Sequence, residues 1–139
     1  MENDIGARLH NLSTVMRHLH KALIDVETQY FGAVGSALEH LQLVTQHPHF
    51  AWLQKLSGLL TELDERLDEP DTLDDGVAAA FRTAVEQLVG PRTASDADFR
   101  KRYTALLHDS PEVVMAHGAL RRALEALPAQ PDPDKHAAA

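Results

Sequence analysis

The sequence has no cysteine, which excludes two classes of site at once. Without a thiol there is neither a disulfide framework nor a thiolate metal site. Positive charge is also in short supply, because 13 Lys and Arg residues stand against 21 Asp and Glu residues and leave a formal charge of −8 at pH 7. A general nucleic-acid-binding protein needs a basic surface to meet the phosphates, so we expect no nucleic-acid partner.

Long apolar runs and aromatic side chains are scarce as well. No uninterrupted apolar stretch approaches the roughly 20 residues needed to cross a bilayer, and the opening residues show no signal-peptide pattern. We therefore expect no membrane partner and a cytoplasmic bacterial protein. Aromatic residues make up 5% of the chain, whereas Leu and Ala are abundant. That balance favours helix over sheet.

The longest periodic segment lies near the start of the chain. Its apolar residues follow one another at steps of four and three: Ile5, Leu9, Leu12, Met16, Leu19, Leu23, Val26 and Tyr30. This spacing predicts a heptad seam on a helix close to 40 Å long, capped by Asn3 or Asp4. Such a seam can pack inside the chain's own bundle or against a second copy, so both an intrachain core and a homodimer stay open.

The only Trp lies in the stretch His47-Pro48-His49-Phe50-Ala51-Trp52-Leu53, at the predicted start of a helix that runs to about Leu67. Pro48 suits the first helical position because its φ is fixed and it has no N–H to lose. An apolar stripe follows, made of Phe50, Leu53, Leu56, Leu60, Leu63 and Leu67. Gly58 interrupts this helix at a cost of about 1 kcal/mol relative to Ala. A close helix crossing is one explanation.

Caps and apolar stripes predict the remaining helices. Ser36 begins a helix from Ala37 to about Gln46, with Leu38, Leu41, Leu43 and Val44 inward. Thr72 and Asp75 resemble a capping box for a helix from Leu73 to about Val89, stopped by Gly90-Pro91. Ser95 caps a fifth helix, and Ser110-Pro111 begins a sixth that carries Val113, Val114, Ala116, Leu120, Leu124 and Leu127 and ends at Pro128. We predict an all-α bundle of five or six helices over residues 1–128, with a flexible tail at 129–139.

Residues 62–75 are the acidic segment of the chain, with eight carboxylates against Arg66 alone. An EF-hand alignment of this region fails, because Leu73 and Arg82 occupy positions that need oxygen ligands. The simplest interpretation is a solvated acidic rim. The alternative is a site for a cation or a basic partner.

Catalytic and cofactor motifs are missing from the sequence. Nine histidines suggest a metal, yet no two lie three or four residues apart and no Glu precedes a His by three. The pairings that helical metal sites use are therefore absent. There is also no G-x-S-x-G, no G-x-G-x-x-G and no Walker loop. We assign no catalytic residue, metal ligand or cofactor, and an enzyme is the weakest hypothesis.

Six residues remain as candidates for contacting a ligand or partner: His20, Glu27, His47, His49, Phe50 and Trp52. His20 and Glu27 share one flank of the first helix and could meet a ligand from another helix, to which His40 could contribute. The other four could form a pocket edge at a helix start, where backbone amides favour an anion. The competing interpretation is that Phe50 and Trp52 are core anchors.

The run Phe50-Ala51-Trp52-Leu53-Gln54-Lys55-Leu56-Ser57, followed by Leu60 and Asp64, resembles the signature of a family of small bacterial all-helical proteins. The stretches 19–23 and 117–124 resemble the same family, so the similarity covers most of residues 17–127. It implies a self-contained helical domain and brings no activity or catalytic residue with it.

Two functions fit these observations. The first is a non-enzymatic interaction module that self-associates through its first helix, as the unbroken seam suggests. The alternative is a small-molecule or metal-binding bundle that uses histidines near its core.

Overall fold

The computed structural model describes residues 5–31, 36–46, 48–89 and 97–129, without side chains at 30–31, 40, 43–46 and 48–49. Six α-helices lie in these ranges: α1 (Ile5–Phe31), α2 (Ala37–Gln46), α3 (Gln54–Leu67), α4 (Asp75–Val89), α5 (Ala97–Asp109) and α6 (Pro111–Glu125). Two short 3-10 helices, Pro48–Leu53 and Pro70–Thr72, precede α3 and α4. No strand occurs in the described ranges, and the predicted all-α bundle is confirmed.

Helix α1 is the element on which the others assemble. Its seam residues Leu9, Leu12, Met16, Leu19 and Leu23 are fully buried in the same chain. The helix packs most extensively against α6 and next against α3. Each buried side chain of this size stabilises the fold by roughly 1.5–3 kcal/mol. The intrachain interpretation of the seam is therefore confirmed.

The other helices each add one apolar stripe to the same core, as their spacing predicts. The inward residues are Leu56, Leu60 and Leu63 on α3, Phe81, Val85 and Leu88 on α4, Phe99, Tyr103 and Leu106 on α5, and Val113, Leu120 and Leu124 on α6. These residues and the α1 seam belong to one continuous cluster. Four helices therefore contribute side chains to the core around α1.

The helix predicted from Pro48 begins differently. Residues Pro48–Leu53 form a 3-10 helix, and α-helical geometry starts only at Gln54. Phe50, Trp52 and Leu53 are all buried. At about three residues per turn, Phe50 and Leu53 lie on the same side and Trp52 lies about 120° from both, whereas at about 3.6 residues per turn Trp52 would lie about 160° from Phe50. The tighter winding thus brings all three side chains to the core.

The predicted start of α4 is also wrong. Leu73 is extended, and the N-cap is Asp74, whose Oδ1 accepts the backbone N–H of Val77 at 2.8 Å. The hydroxyl of Thr72 instead donates to the carbonyl oxygen of Glu69 at 2.7 Å. The turn begun by Pro70 uses Thr72 locally, so the cap passes to the next strongly capping residue.

Two other predicted caps are present. The Oγ of Ser36 accepts the N–H of Glu39 at 3.1 Å, and the Oγ of Ser110 accepts the N–H of Val113 at 3.3 Å. Both satisfy amides that a helix start leaves without an intrahelical partner.

Arginine side chains donate hydrogen bonds to carbonyl oxygens at or just beyond the C-terminal ends of helices. Arg100 donates to the carbonyl oxygen of Val89, the last residue of α4, at 3.1 Å. Arg8 and Arg82 donate to the carbonyl oxygens of Ala126 and Leu127, at 3.2 and 2.6 Å, just beyond α6. These long-range contacts tie both helix ends to neighbouring helices and had no local signal in the sequence.

Some apolar residues predicted to be inward are exposed. Leu38 and Leu41 of α2 are 64% and 59% exposed, and Val114 of α6 is 50% exposed. Helix α2 contacts mainly the 3-10 helix Pro48–Leu53, and both leucines remain largely exposed beside it, while the side chains of Leu43 and Val44 are not described. In α6, Val113 takes the core position and its neighbour Val114 points elsewhere.

Several predictions fall on residues outside the described ranges: the cap at Asn3 or Asp4, the stop at Gly90-Pro91, the cap at Ser95 and the tail from 130. The domain limits likewise stay a prediction. Among the described helices, none combines the length and the apolar character needed to span a membrane.

No described residue crosses α3 closely at Gly58, because a Cβ built on it meets no described atom within 4 Å. We predict that Gly58→Ala raises the free energy of unfolding by about 0.5–1 kcal/mol, since Ala restricts the unfolded chain and favours helix. Urea denaturation measures this change. Gly58→Pro is the control and should cost about 3 kcal/mol. A loss of stability in Gly58→Ala would restore the crossing explanation.

Candidate functional site

Two of the candidate residues meet in the interior. The Nε1–H of Trp52 donates to Oε2 of Glu27 at 2.8 Å, and each residue is only 6% exposed. Glu27 lies on a flank of α1 beside the seam, and Trp52 is brought to it by the 3-10 helix. Buried polar groups are costly unless they are hydrogen-bonded. This bond therefore fixes the start of α3 against α1.

An aromatic series continues from Trp52 across the bundle. The ring of Phe99 lies edge-on to Trp52 at 4.9 Å between centroids, and Tyr103 stacks on Phe99 at 5.9 Å. The hydroxyl of Tyr103 then lies 2.6 Å from Nδ1 of His117. Aromatic pairs of this kind add about 0.5–1.5 kcal/mol beyond area burial. The series links the 3-10 helix, α5 and α6.

The electrostatics assign the roles in the Tyr103–His117 hydrogen bond. Burial raises the pKa of Tyr103, against a smaller opposing effect of Arg100. Burial also lowers the pKa of His117, and the charges of Arg121 and Arg100 lower it further. Tyr103 therefore keeps its proton, and its O–H donates the hydrogen bond to Nδ1 of the neutral imidazole. This bond was not predicted, because neither residue's spacing indicates the register of α5 against α6.

His20 and Phe50 share one cavity of about 490 Å³ between α1, α2, the 3-10 helix and α3. It is lined by His20, Ile24, Leu41, Phe50, Leu53, Gln54, Ser57, Gly58 and Thr61. Burial lowers the pKa of His20 and so favours its neutral form. The hydroxyls of Ser57 and Thr61 donate to carbonyl oxygens of their own helix. Phe50 is thus both a core anchor and a cavity wall.

The remaining histidine candidates are not placed. His47 lies outside the described residues, and the side chains of His40 and His49 are not described. Within the part of the chain that is described, no three His, Asp or Glu residues are grouped so that they could hold a metal ion.

The larger opening, of about 810 Å³, lies between α3 and α4. We call it the acidic groove; its lining residues are Leu59, Glu62, Glu65, Arg66, Glu69, Asp74, Gly76, Val77, Ala80, Phe81 and Ala84. The α3 wall carries carboxylates, whereas Gly76, Ala80 and Ala84 recur every fourth residue and make one face of α4 small. Leu59, Val77 and Phe81 form an apolar floor. The groove is therefore shaped by two helices, each with a different chemistry.

Most carboxylates of this groove form no ion pair with a described basic residue. Asp74 is engaged as the cap of α4, but no described basic residue lies within salt-bridge distance of Glu62, Glu65 or Glu69. The five ion pairs among the described residues use other carboxylates: Arg17–Asp64, Lys21–Asp25, Arg82–Glu86, Arg102–Asp98 and Arg121–Glu125. All three glutamates are exposed.

Sequence reasoning identified one half of this groove. The acidic segment 62–75 was noted, and its first part forms the α3 wall. The small face of α4 was missed, because alanines inside a helix are ordinary helix formers and carry no signal of their own. A search for small residues at four-residue spacing would have found it.

Comparison with protein-family models, with curated proteins and with solved structures finds no match to this chain. The resemblance to a family of small bacterial helical proteins stays a prediction. The function must therefore be argued from geometry.

The Glu27–Trp52 bond leads to a stability prediction. Trp52→Phe keeps an aromatic ring but removes the donor, and we expect the free energy of unfolding to fall by about 1–3 kcal/mol. In a double-mutant cycle, Glu27→Leu should cost at least about 1 kcal/mol less in the Trp52→Phe background than in the wild type. Additive effects in chemical denaturation would show that the bond contributes nothing.

The Tyr103–His117 bond leads to a pH prediction. Folding lowers the pKa of His117 below its ordinary value of 6.5, so the unfolded chain binds the proton first as the pH falls. The stability is unaffected well above pH 6.5 and declines below it. His20 acts with the same sign. Urea midpoints between pH 5 and pH 8 should depend less on pH in His117→Gln than in a control, His108→Gln, whose residue is exposed. Equal slopes would contradict the prediction.

Proposed function

We propose that this protein is a non-enzymatic interaction module that binds a helix of a partner protein in the acidic groove. The observation that supports it is an open groove with an apolar floor between two consecutive helices. Exposed concave surfaces that combine apolar and polar groups are typical of binding sites.

The shape of the groove favours a helix as its occupant. Helices pack with their axes about 8–10 Å apart, and small residues at the contact allow the closer end of that range. Gly76, Ala80 and Ala84 supply such residues along two turns of α4. A helix-in-groove complex uses side chains at three- and four-residue spacing, which the two walls match.

Self-association through the first helix has less support than the apolar spacing of that helix indicated. The seam residues from Leu9 to Leu23 pack in their own core, so a homodimer would use a surface other than this part of α1. The large apolar side chains left exposed in the described ranges are Leu38, Leu41, Val114 and Met115. A formal charge of −8 also opposes the approach of two copies.

A small-molecule site is the second candidate function. The cavity that contains His20 and Phe50 favours it, since about 490 Å³ lies within the range of ligand pockets. A neutral imidazole on an otherwise mainly apolar wall suits a small apolar molecule with one hydrogen-bonding group. The acidic groove is larger and combines carboxylates with an apolar floor, so we favour it as the binding site.

The helix-binding proposal is tested with synthetic probes. Three hydrocarbon-stapled helical peptides of about 16 residues share an Ala and Leu face and differ only in carrying Lys, Gln or Glu on the flanks. At least one should shift backbone amide signals of α3 and α4 in two-dimensional NMR. Ala80→Leu, which fills the groove at an exposed position, should weaken that binding at least about tenfold.

The matched control is Ala105→Leu, at an exposed position on α5. It should leave the affinity unchanged, since it lies outside the groove. Binding by none of the three peptides, or signal changes confined to other helices, would refute a helix-binding groove between α3 and α4.

A further inference from the structure

We infer that the acidic groove accepts a cationic amphipathic helix, with Lys or Arg residues facing α3 and small or apolar residues facing α4. This inference rests on the proposed helix-binding function and specifies the chemistry of the partner. Two observations carry it: an apolar floor that a partner must cover, and a wall of carboxylates without basic partners among the described residues.

The positions of the carboxylates define the spacing of the cations. Glu62 and Glu65 are three residues apart on α3, and Glu69 lies just beyond the end of that helix among the residues that line the same groove. An amphipathic helix that carries Lys or Arg at three- and four-residue steps presents these charges along one face. One face of the partner can then meet all three glutamates while its adjacent face packs on Ala80 and Ala84.

The three glutamates of the groove are not engaged by the described basic residues. Five other described carboxylates, Asp25, Asp64, Glu86, Asp98 and Glu125, each have an arginine or lysine within reach. In the groove, Arg66 is the only cation against the three glutamates and Asp74. Its Nη1 lies 3.5 Å from the carbonyl oxygen of Thr72, so it is directed partly toward the turn.

Coverage of the groove strengthens the attraction. A partner that excludes water from Leu59, Val77 and Phe81 also lowers the effective dielectric around the neighbouring carboxylates. Charge pairs that are weak on an open surface then contribute more, and mismatched charges cost more. Affinity arises from the apolar floor, and selection for cationic partners from the α3 wall.

Other occupants fit the groove less well. A metal ion needs several oxygen ligands within about 2.3–2.6 Å, and no three His, Asp or Glu side chains among the described residues are grouped so that they could hold one. An anionic membrane is repelled by the wall. A second copy brings a further charge of −8, and its Arg102 and Arg121 already lie beside Asp98 and Glu125. A basic helix from a different protein satisfies both walls at once.

The test uses the three stapled peptides described above and the 139-residue chain. Fluorescence anisotropy should show the Lys peptide binding at least about tenfold more tightly than the Gln peptide, and the Glu peptide binding more weakly than either. Raising the salt from about 0.05 to 0.5 M should weaken the Lys peptide about tenfold and the Gln peptide little, because screening acts on the charge pairs.

A charge-neutral wall is the decisive variant. The triple change Glu62→Gln, Glu65→Gln and Glu69→Gln should weaken the Lys peptide at least about tenfold and leave the Gln peptide unchanged, at about two- to fivefold for each exposed pair. Glu62 and Glu65 are exposed on α3 and Glu69 is exposed beyond its end, so the variant should stay folded, as circular dichroism can check.

A matched triple variant controls for net charge. Glu39→Gln, Glu112→Gln and Glu125→Gln remove the same number of exposed carboxylates from α2 and α6. They should change the affinity for the Lys peptide less than about twofold. An equal loss in both triple variants would mean that the overall field attracts the peptide and would overturn recognition by the groove.

The outcomes separate this inference from the function on which it rests. If the Gln peptide binds in the groove as tightly as the Lys peptide and the triple variant has no effect, the cationic partner is wrong and the helix-binding module stands. If no peptide binds, both fail.

Discussion

The seam of α1 lies in the interior from Leu9 to Leu23, and the rest of the core is arranged around it. Helices α6 and α3 cover most of that surface, and α5 is held in turn by α4, α6 and the 3-10 helix before α3. An isolated helix with a heptad seam buries that seam against a second copy of itself. Here three other helices of the same chain cover it instead. The surfaces left for partners are therefore flanks and grooves between helices.

Polar contacts then determine how the helices are joined. Asp64 of α3 accepts a hydrogen bond from Ser13 at 2.8 Å and pairs with Arg17, which ties α3 to α1. Arg100 closes the end of α4 in a similar way. Because Asp64 is used in holding the bundle together, the α3 carboxylates that remain without basic partners are those on the side facing α4. Glu62 and Glu65 of the acidic groove are thus left exposed, without a basic partner among the described residues.

Local signals in the sequence were sufficient for most helix limits. The limits of α2 and the Pro111 start of α6 follow from a capping Ser and a following residue that suits the first turn. Prediction was wrong where a local signal had a competitor. Thr72 resembled a cap until the turn at Pro70 used it, and the stripe of α2 resembled a buried face although little covers Leu38 and Leu41.

The candidate site was only partly predictable for the same reason. Glu27 and Trp52 were both named, but their bond depends on the winding of the 3-10 helix. The groove depends on which face of α4 lies beside α3, and no spacing within either helix reveals that.

The most extensive helix contact joins α1 to α6, the first and last helices of the described chain. These two segments are separated by roughly 80 residues, which a ribosome adds in about 4–16 s at 5–20 residues per second. For that time the part of the apolar α1 surface that α6 covers in the folded protein has no partner. A nascent chain of this kind stays vulnerable to premature association until α6 has emerged, and the completion of its core is timed by the synthesis of that helix.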